Sequence, residues 1–240
     1  MTAIIPAAGR GTRFAPLTKA VPKEMLPIGA KPAIQMIAEE AVAAGAREVV
    51  LVLSPEKDLV RRYFEEVDVG APVRFALQRE PRGLGHAVLC AGEPDGPALV
   101  LLGDAVVTGA NPCLELAAVS RAHGGAGALG LKRVPRDRIS RYGVAAVAAD
   151  GRITDLVEKP DPAAAPSDLA ISGRYLIEPE TFRYLADQPP GRGGEIQFTD
   201  ALRRMLRDRP LYACPYSGER QDIGDPAGYF KALEAHYGRG

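Results

Sequence analysis

The sequence predicts an α/β fold in which a mixed, mostly parallel sheet is flanked by helices, with antiparallel strands added in its second half. Three observations carry this. Apolar runs of strand length alternate with helix-period segments through the first half, which is the pattern of parallel strands joined by crossover helices. Those runs are apolar at nearly every position, as strands covered on both faces are. From Ala126 the texture changes to short Ala/Leu/Val segments broken by glycine, the mark of hairpins.

Ala3-Ile4-Ile5 opens as an apolar strand and runs into Pro6-Ala7-Ala8-Gly9-Arg10-Gly11-Thr12-Arg13, a turn with no side chain at two positions. Ile34, Ile37, Ala38, Ala41 and Val42 then recur at helical spacing from a start near Lys31-Pro32, and Gly45 is placed to end that helix. A strand over 48–53 follows. Ser54-Pro55-Glu56 offers an N-cap and a first-turn proline for a helix through about Phe64, with the next strand over 73–77. Residues 83–91 read as a helix, and 98–102 as a buried central strand ending at Gly103-Asp104. Ligands of open α/β sheets collect beyond the carboxyl ends of such strands, so Asp104 is well placed. In the second half, Tyr142-Gly143-Val144 and Gly151 predict strands and a hairpin, 169–177 a further strand, and 196–206 and 226–236 the closing helices. Prolines 160, 162 and 166 make 161–167 a loop, and Pro189-Pro190-Gly191 opens another.

Thirty basic and thirty acidic side chains in 240 residues leave no global field to attract nucleic acid or an anionic membrane, so any phosphate binding is local. No apolar run reaches spanning length, and the chain opens on a strand pattern rather than a basic region and apolar core. Neither a membrane span nor a signal peptide is expected, and the expected location is cytoplasmic. Cys90, Cys113 and Cys214 are widely spaced without a Cys-x-x-Cys pair, which predicts packing roles; His86, His123 and His236 form no transition-metal cluster.

The opening loop lacks the third glycine of a dinucleotide fingerprint and the Gly-Lys-Thr of a P-loop. Its backbone N–H groups can still approach a polyphosphate while Arg13 and Lys23 neutralise it, with Lys23 held in a segment stiffened by Pro22 and Pro27. Gly9-Arg10-Gly11-Thr12-Arg13 followed by Pro22-Lys23-Glu24-Met25-Leu26-Pro27 resembles the signature of the sugar-1-phosphate nucleotidylyltransferases, closest to the bacterial UTP:glucose-1-phosphate uridylyltransferases. The resemblance continues in order through Gly83-Leu84-Gly85-His86-Ala87-Val88, Val157-Glu158-Lys159-Pro160, Gly173-Arg174-Tyr175 and Glu195-Ile196-Gln197-Phe198-Thr199-Asp200. It covers nearly the whole chain.

The resemblance implies a Rossmann-like, nucleotide-diphospho-sugar transferase fold in a single domain over 1–240, with 1–125 mainly binding nucleotide and 126–240 mainly binding sugar. The implied reaction is in-line attack of a sugar-1-phosphate oxygen on the α-phosphorus of UTP, releasing pyrophosphate. That nucleophile is already ionised, so cations, Mg²⁺ and positioning are needed rather than a general base. By resemblance Arg13, Lys23 and Lys159 are the catalytic cations, and Ala8, Gly9, Gly11, Thr12, Glu24, Gln78, Gly83 and Asp104 bind the nucleotide. Gly143, Glu158, Lys159 and Gly173 would hold the sugar phosphate, and Asp104 and Asp222 the Mg²⁺. His86 would orient the base-side loop.

The partners implied are UTP, or dTTP, and a sugar 1-phosphate, with a homo-oligomer possible. Two features depart from the uridylyltransferase pattern: the segment 64–73 is short where a longer stretch assists subunit contacts, and Gly103 rather than proline precedes Asp104, as in the thymidylyltransferase branch. A dTTP-dependent enzyme and a non-catalytic nucleotide-sugar-binding regulator are therefore the rival readings. Retention of Arg13, Lys23, Asp104 and Lys159 argues against the regulator, and the absence of Asp-x-Asp after the central strand argues against a glycosyltransferase.

Overall fold

The computed structural model describes residues 1–238; Arg239 and Gly240, the end of the expected 126–240 half, lie outside the described residues. The first half contains β1 (Thr2–Pro6), β2 (Pro27–Ile28), β3 (Lys31–Pro32), α1 (Ala33–Ala43), β4 (Glu48–Leu53), α2 (Asp58–Glu66), β5 (Val73–Leu77), α3 (Leu84–Cys90), β6 (Ala98–Leu101), β7 (Ala105–Thr108) and α4 (Pro112–Ala122). The second contains β8 (Gly127–Arg133), β9 (Gly143–Val147), β10 (Ile153–Glu158), β11 (Leu169–Ile177), α5 (Thr181–Ala186), α6 (Phe198–Met205), β12 (Leu211–Cys214), β13 (Glu219–Asp222) and α7 (Pro226–Tyr237).

β6, β1, β4 and β5 lie side by side and run parallel, with Ile4 of β1 opposite Val50 on one flank and Val100 on the other. Side chains alternate between two buried layers. Ala3 and Ile5 pack with Ile34, Val60 and Leu116 from α1, α2 and α4, whereas Ile4 packs with Val88, Leu185 and Leu202 from α3, α5 and α6. This double burial is why the strands are apolar at almost every position.

The expected antiparallel additions are present. β11 pairs with β6 over 174–177, bends at Gly173, and brings Ala170 opposite Val144 of β9. Gly173 has φ +80°, and a Cβ there would lie 2.9 Å from Leu102 Cδ1, so both backbone and packing demand glycine. β10 hairpins onto β9 at one edge, while β8 pairs β11 and carries β12 in parallel. The sheet thus has nine strands running through both halves of the chain.

Two boundaries differ from the sequence expectation. α2 starts at Asp58, because Lys57 N donates to Ser54 O at 3.1 Å to close a turn and Lys57 itself is non-helical (φ −95°, ψ 40°). The Ser54-Pro55 signal therefore makes a turn, not a cap. α6 starts at Phe198, since Ile196 spends its N–H on Arg82 O at 2.8 Å and its carbonyl on Gly85 N at 2.9 Å. Sequence reading also passed over β7 and β13, which form a separate antiparallel ribbon with Asp222 opposite Ala105. Among the described residues no helix is long and apolar enough to cross a membrane.

Candidate active site

β1 ends where Ala7 N donates to Val52 O of β4 at 2.9 Å, and the chain leaves the sheet as the glycine turn. Gly11 takes φ +63°, and a Cβ there would meet Thr18 Cγ2 at 2.9 Å; Thr18 Oγ1 donates back to Gly11 O at 3.1 Å. Gly9 is different: nothing lies within 4 Å of its Cβ position, so a ligand can approach the backbone there. The loop then makes three short 3₁₀ turns, the last over Lys23–Met25, which turns Lys23 and Glu24 inward.

A cavity of about 340 Å³ opens beyond the strand ends and is lined by Ala8, Gly9, Lys23, Glu24, Gln78, Gly83 and Asp104. Six of the eight expected nucleotide-binding residues therefore share one wall with Lys23, an expected catalytic cation. Gly11 and Thr12 shape the loop without lining this cavity.

Four charges follow one another through the site with alternating sign. Lys57 Nζ donates to Glu24 Oε2 at 2.6 Å, Glu24 Oε1 lies 4.0 Å from Lys23 Nζ, and Lys23 Nζ contacts Asp104 Oδ2 directly. Lys57 and Glu24 are 6% and 1% exposed. Burial raises the Glu24 carboxyl and lowers the Lys57 ammonium, in each case against the pull of the partner. For Lys23 and Asp104 the balance reverses. Burial opposes both charges, but Asp104, Glu24 and Asp222 together raise Lys23, and Lys23 and Arg220 together lower Asp104. Lys23 and Asp104 are thus both held ionised.

At another part of the cavity wall, Gln78 Nε2 donates to Gly83 O at 3.1 Å and lies 3.1 Å from His86 Nδ1. The His86 ring thus stands against the Gln78 amide. Gly83 (φ +95°) has the backbone of Ile196 against its Cβ position, with Ile196 O at 2.9 Å, which packs this turn onto the segment before α6.

Asp222 stands beside Asp104. The β7–β13 ribbon begins with Ala105 opposite Asp222, and a Cβ at Gly224 would lie 2.8 Å from Asp222 Oδ1, 3.4 Å from Asp104 Oδ2 and 3.6 Å from an Arg13 nitrogen. Asp222 Oδ1 accepts from Gly224 N at 2.9 Å, and Asp225, not Asp222, caps α7 by accepting from Gly228 N at 2.9 Å. Arg13 is 71% exposed and reaches Asp225 only at 4.0 Å.

A second cavity, about 860 Å³, opens on the Asp222 side of this pair and is lined by Arg13, Tyr142, Lys159, Arg220 and Asp222 among others. Adjacent strand residues point to opposite faces, yet Lys159 Nζ lies 3.4 Å from Glu158 Oε1. The backbone explains it: β10 stops at Glu158, and Lys159 takes φ +46°, a left-handed conformation uncommon for a residue with a side chain. Glu158 Oε2 accepts from Thr199 Oγ1 at 2.6 Å. Gly143 supplies the space for that bond, since a Cβ would stand 2.8 Å from Thr199 Oγ1 and 3.1 Å from Glu158 Oε2. Gly143 and Gly173 thus have reasons within the protein itself, in addition to any sugar.

The family described as nucleotidyl transferase matches residues 2–237. The chain belongs to the nucleotidyl transferase family. A relative in this family is the UTP–glucose-1-phosphate uridylyltransferase of Bacillus subtilis (strain 168), 40% identical, with the match covering 95% of this chain and 87% of the relative. Among solved structures, a UDP-glucose pyrophosphorylase complexed with UDP-glucose superposes with a TM-score of 0.91 at 33% identity, covering 100% of this chain and 99% of the other. A UTP-bound UGPase from Acinetobacter baumannii gives 0.83 at 32% identity, covering 99% and 93%.

As a nucleotidyl transferase the chain carries four site groups beyond those expected. Glu195 lines the first cavity and Thr199 orients Glu158, and both lie in the already noted stretch 195–200. Arg220 sits two residues before Asp222 on β13, so both side chains share a face, and its Nη donates to Asp222 Oδ2 at 3.2 Å. Lys57 had a signal of position alone, following the carboxyl end of β4.

Proposed function

We propose that this enzyme transfers a uridylyl group from UTP to glucose 1-phosphate, giving UDP-glucose and pyrophosphate. The observation that carries the reading is the closeness of Asp104, which lines a cavity with Lys23, Gln78 and Gly83, to Asp222, which lines a second cavity with Lys159 and Tyr142. Two polyanions whose reacting ends must touch need such a junction. Residues 1–125 would act mainly on the nucleotide and 126–240 mainly on the sugar.

Gln78 has its amide nitrogen engaged, which leaves the amide oxygen to accept from the N3–H that uracil and thymine share. Gly9 lets the nucleotide lie against backbone and Lys23 neutralises the triphosphate, while Arg13, on the wall of the second cavity near Asp222, faces the phosphates from the other side. Glu158 keeps Oε1 for sugar hydroxyls while Thr199 occupies Oε2, and Lys159 draws the sugar's phosphate to the same side. The residues orient and neutralise; none is asked to move a proton.

The donor set at the junction suits Mg²⁺. Asp104 and Asp222 are hard oxygen donors on facing backbone segments, and a cation that keeps several waters and phosphate oxygens wants one or two carboxylates rather than a full protein cage. Among the described residues no group of three or more His, Cys, Asp or Glu forms such a cage. When bound, the ion would screen phosphate charge and polarise the phosphoryl oxygens. Three free thiols, at Cys90, Cys113 and Cys214, support a reducing, cytoplasmic setting.

Gly103 was the sequence feature favouring dTTP. A Cβ there would lie 2.9 Å from Pro6 O, so the close approach of β6 and β1 accounts for glycine without reference to the base. The test is a panel of four nucleoside triphosphates against several sugar 1-phosphates, read by pyrophosphate release. UTP with glucose 1-phosphate is expected to lead, and a dTTP preference of about tenfold, roughly 1.4 kcal/mol, overturns the assignment.

A further inference from the structure

We propose that Lys57 is a positioning residue for the nucleotide: its ammonium fastens the end of β1 to the 22–27 loop and so fixes Glu24 and Lys23 for the incoming triphosphate. The inference rests on the uridylyltransferase reading for the identity of that triphosphate. It rests on the geometry alone for the fastening.

Lys57 lies just past the carboxyl end of β4, next to β1 in the sheet, on the side where the site opens. Its backbone is the turn that delays α2, which sends the side chain inward instead of along a helix face. The ammonium ends 6% exposed, bonded to Ala7 O and to Glu24 Oε2 at 2.6 Å. A buried lysine is costly unless its charge and donors are met, and these two partners meet them.

Both partners belong to the nucleotide wall. Ala7 precedes Ala8 and Gly9, and its own N–H is held by Val52 O at 2.9 Å, so Lys57 and β4 fix this peptide from two directions. Glu24 lines the first cavity and stands 4.0 Å from Lys23, which in turn contacts Asp104. Remove Lys57, and Glu24 becomes a buried carboxylate whose remaining near cation, among the described residues, is Lys23. That lysine would then be drawn toward Glu24 and away from Asp104 and the phosphates. Lys57 lines neither cavity, so it acts through Glu24, Lys23 and Ala7 rather than by touching substrate. Glu158, on β10, bonds instead to Thr199 and pairs with Lys159.

The test compares wild type, Lys57→Met and Lys57→Arg by calorimetric titration with UTP and Mg²⁺, and by initial rates with UTP and with the sugar 1-phosphate varied in turn. Melting curves fix a temperature at which every variant is folded. Lys57→Met is expected to weaken UTP binding about tenfold or more, with the sugar-phosphate KM within about twofold. Lys57→Arg keeps the charge that Glu24 needs but not the compact ammonium geometry, and is expected to fold like wild type yet bind UTP several-fold less tightly. A purely structural role predicts lowered melting with unchanged UTP affinity in the folded variants, and that result overturns the proposal. Should Lys57→Met fail to fold, wild-type UTP affinity in Lys57→Arg overturns it alone. If wild type accepts another nucleotide instead of UTP, the uridylyltransferase reading fails, and the same titrations with the accepted nucleotide still decide the role of Lys57.

Discussion

Arg174 and Glu40 form a two-bond ion pair, Nε to Oε1 and Nη to Oε2 both at 2.7 Å, with the guanidinium wholly enclosed. The same guanidinium donates to Ala105 O at 2.7 Å and Gly173 O at 3.1 Å. One side chain thereby ties α1, the bend of β11 and the backbone beside Asp104. Burial works against its charge, but Glu40 holds the guanidinium protonated at any accessible pH. Breaking such a pair by removing one partner leaves a buried charge uncompensated. Arg174→Met is therefore expected to lower stability by about 3–5 kcal/mol, measured by urea unfolding. A loss under about 1 kcal/mol would mean that Glu40 finds water or another cation.

Asp104→Asn tests the carboxylate at the junction in two ways. Turnover is expected to fall about a hundredfold or more, because a hard cation loses an anionic ligand beside the reacting phosphates. Stability should fall as well, since Lys23, with its side chain 11% exposed, loses its ion partner. The pH dependence follows from the signs. Burial pushes the Asp104 carboxyl up, but Lys23 and Arg220 carry it below the ordinary value, so its contribution is present above about pH 4 and is lost as pH falls through the folded value. Lys23 is raised, so its share is present below about pH 10 and lost as pH rises through its folded value. The stability gap between wild type and variant should be steady near pH 6–8 and narrower at about pH 3. Equal gaps in both conditions would show that the pair adds nothing.

How much of this was legible follows from where each residue's reason lies. Lys23 and Lys159 sit in the short motifs that carried the resemblance, Gln78 and Asp104 stand at the ends of apolar strands, and the alternation of Ala3, Ile4 and Ile5 between two layers is written in near-continuous apolar runs. β13 was not legible. Its sequence, Glu-Arg-Gln-Asp, has no apolar alternation, and it exists as a strand because its backbone pairs with β7. Lys57 was hidden for a related reason. Ser54-Pro55 gives a local helix-start signal, and the tertiary demand for an ammonium between Ala7 and Glu24 accompanies a turn there instead.

Lys23 and Lys159 line different cavities, which assigns them different substrates in the proposed reaction. Lys159 is held on the same side as Glu158 by a left-handed backbone, a conformation that costs a residue with a side chain roughly 1–2 kcal/mol and so marks a position where direction matters. Lys159→Ala should raise the KM for the sugar 1-phosphate and lower turnover together, because the phosphate it holds is itself the nucleophile and loses alignment as well as affinity. The expected loss is about 2–4 kcal/mol in transition-state stabilisation, as for one removed charge in a site sheltered from water. UTP binding in the absence of sugar should barely change. Lys23→Ala should do the reverse and weaken UTP binding before any sugar arrives, since Lys23 shares its cavity wall with Gln78 and Gly83. Calorimetric titration of each variant with UTP and Mg²⁺ alone separates the two. Equal weakening in both would place the triphosphate across the Asp104–Asp222 junction, within reach of Lys159 as well as Lys23, and would reverse the division of the site drawn from its two cavities.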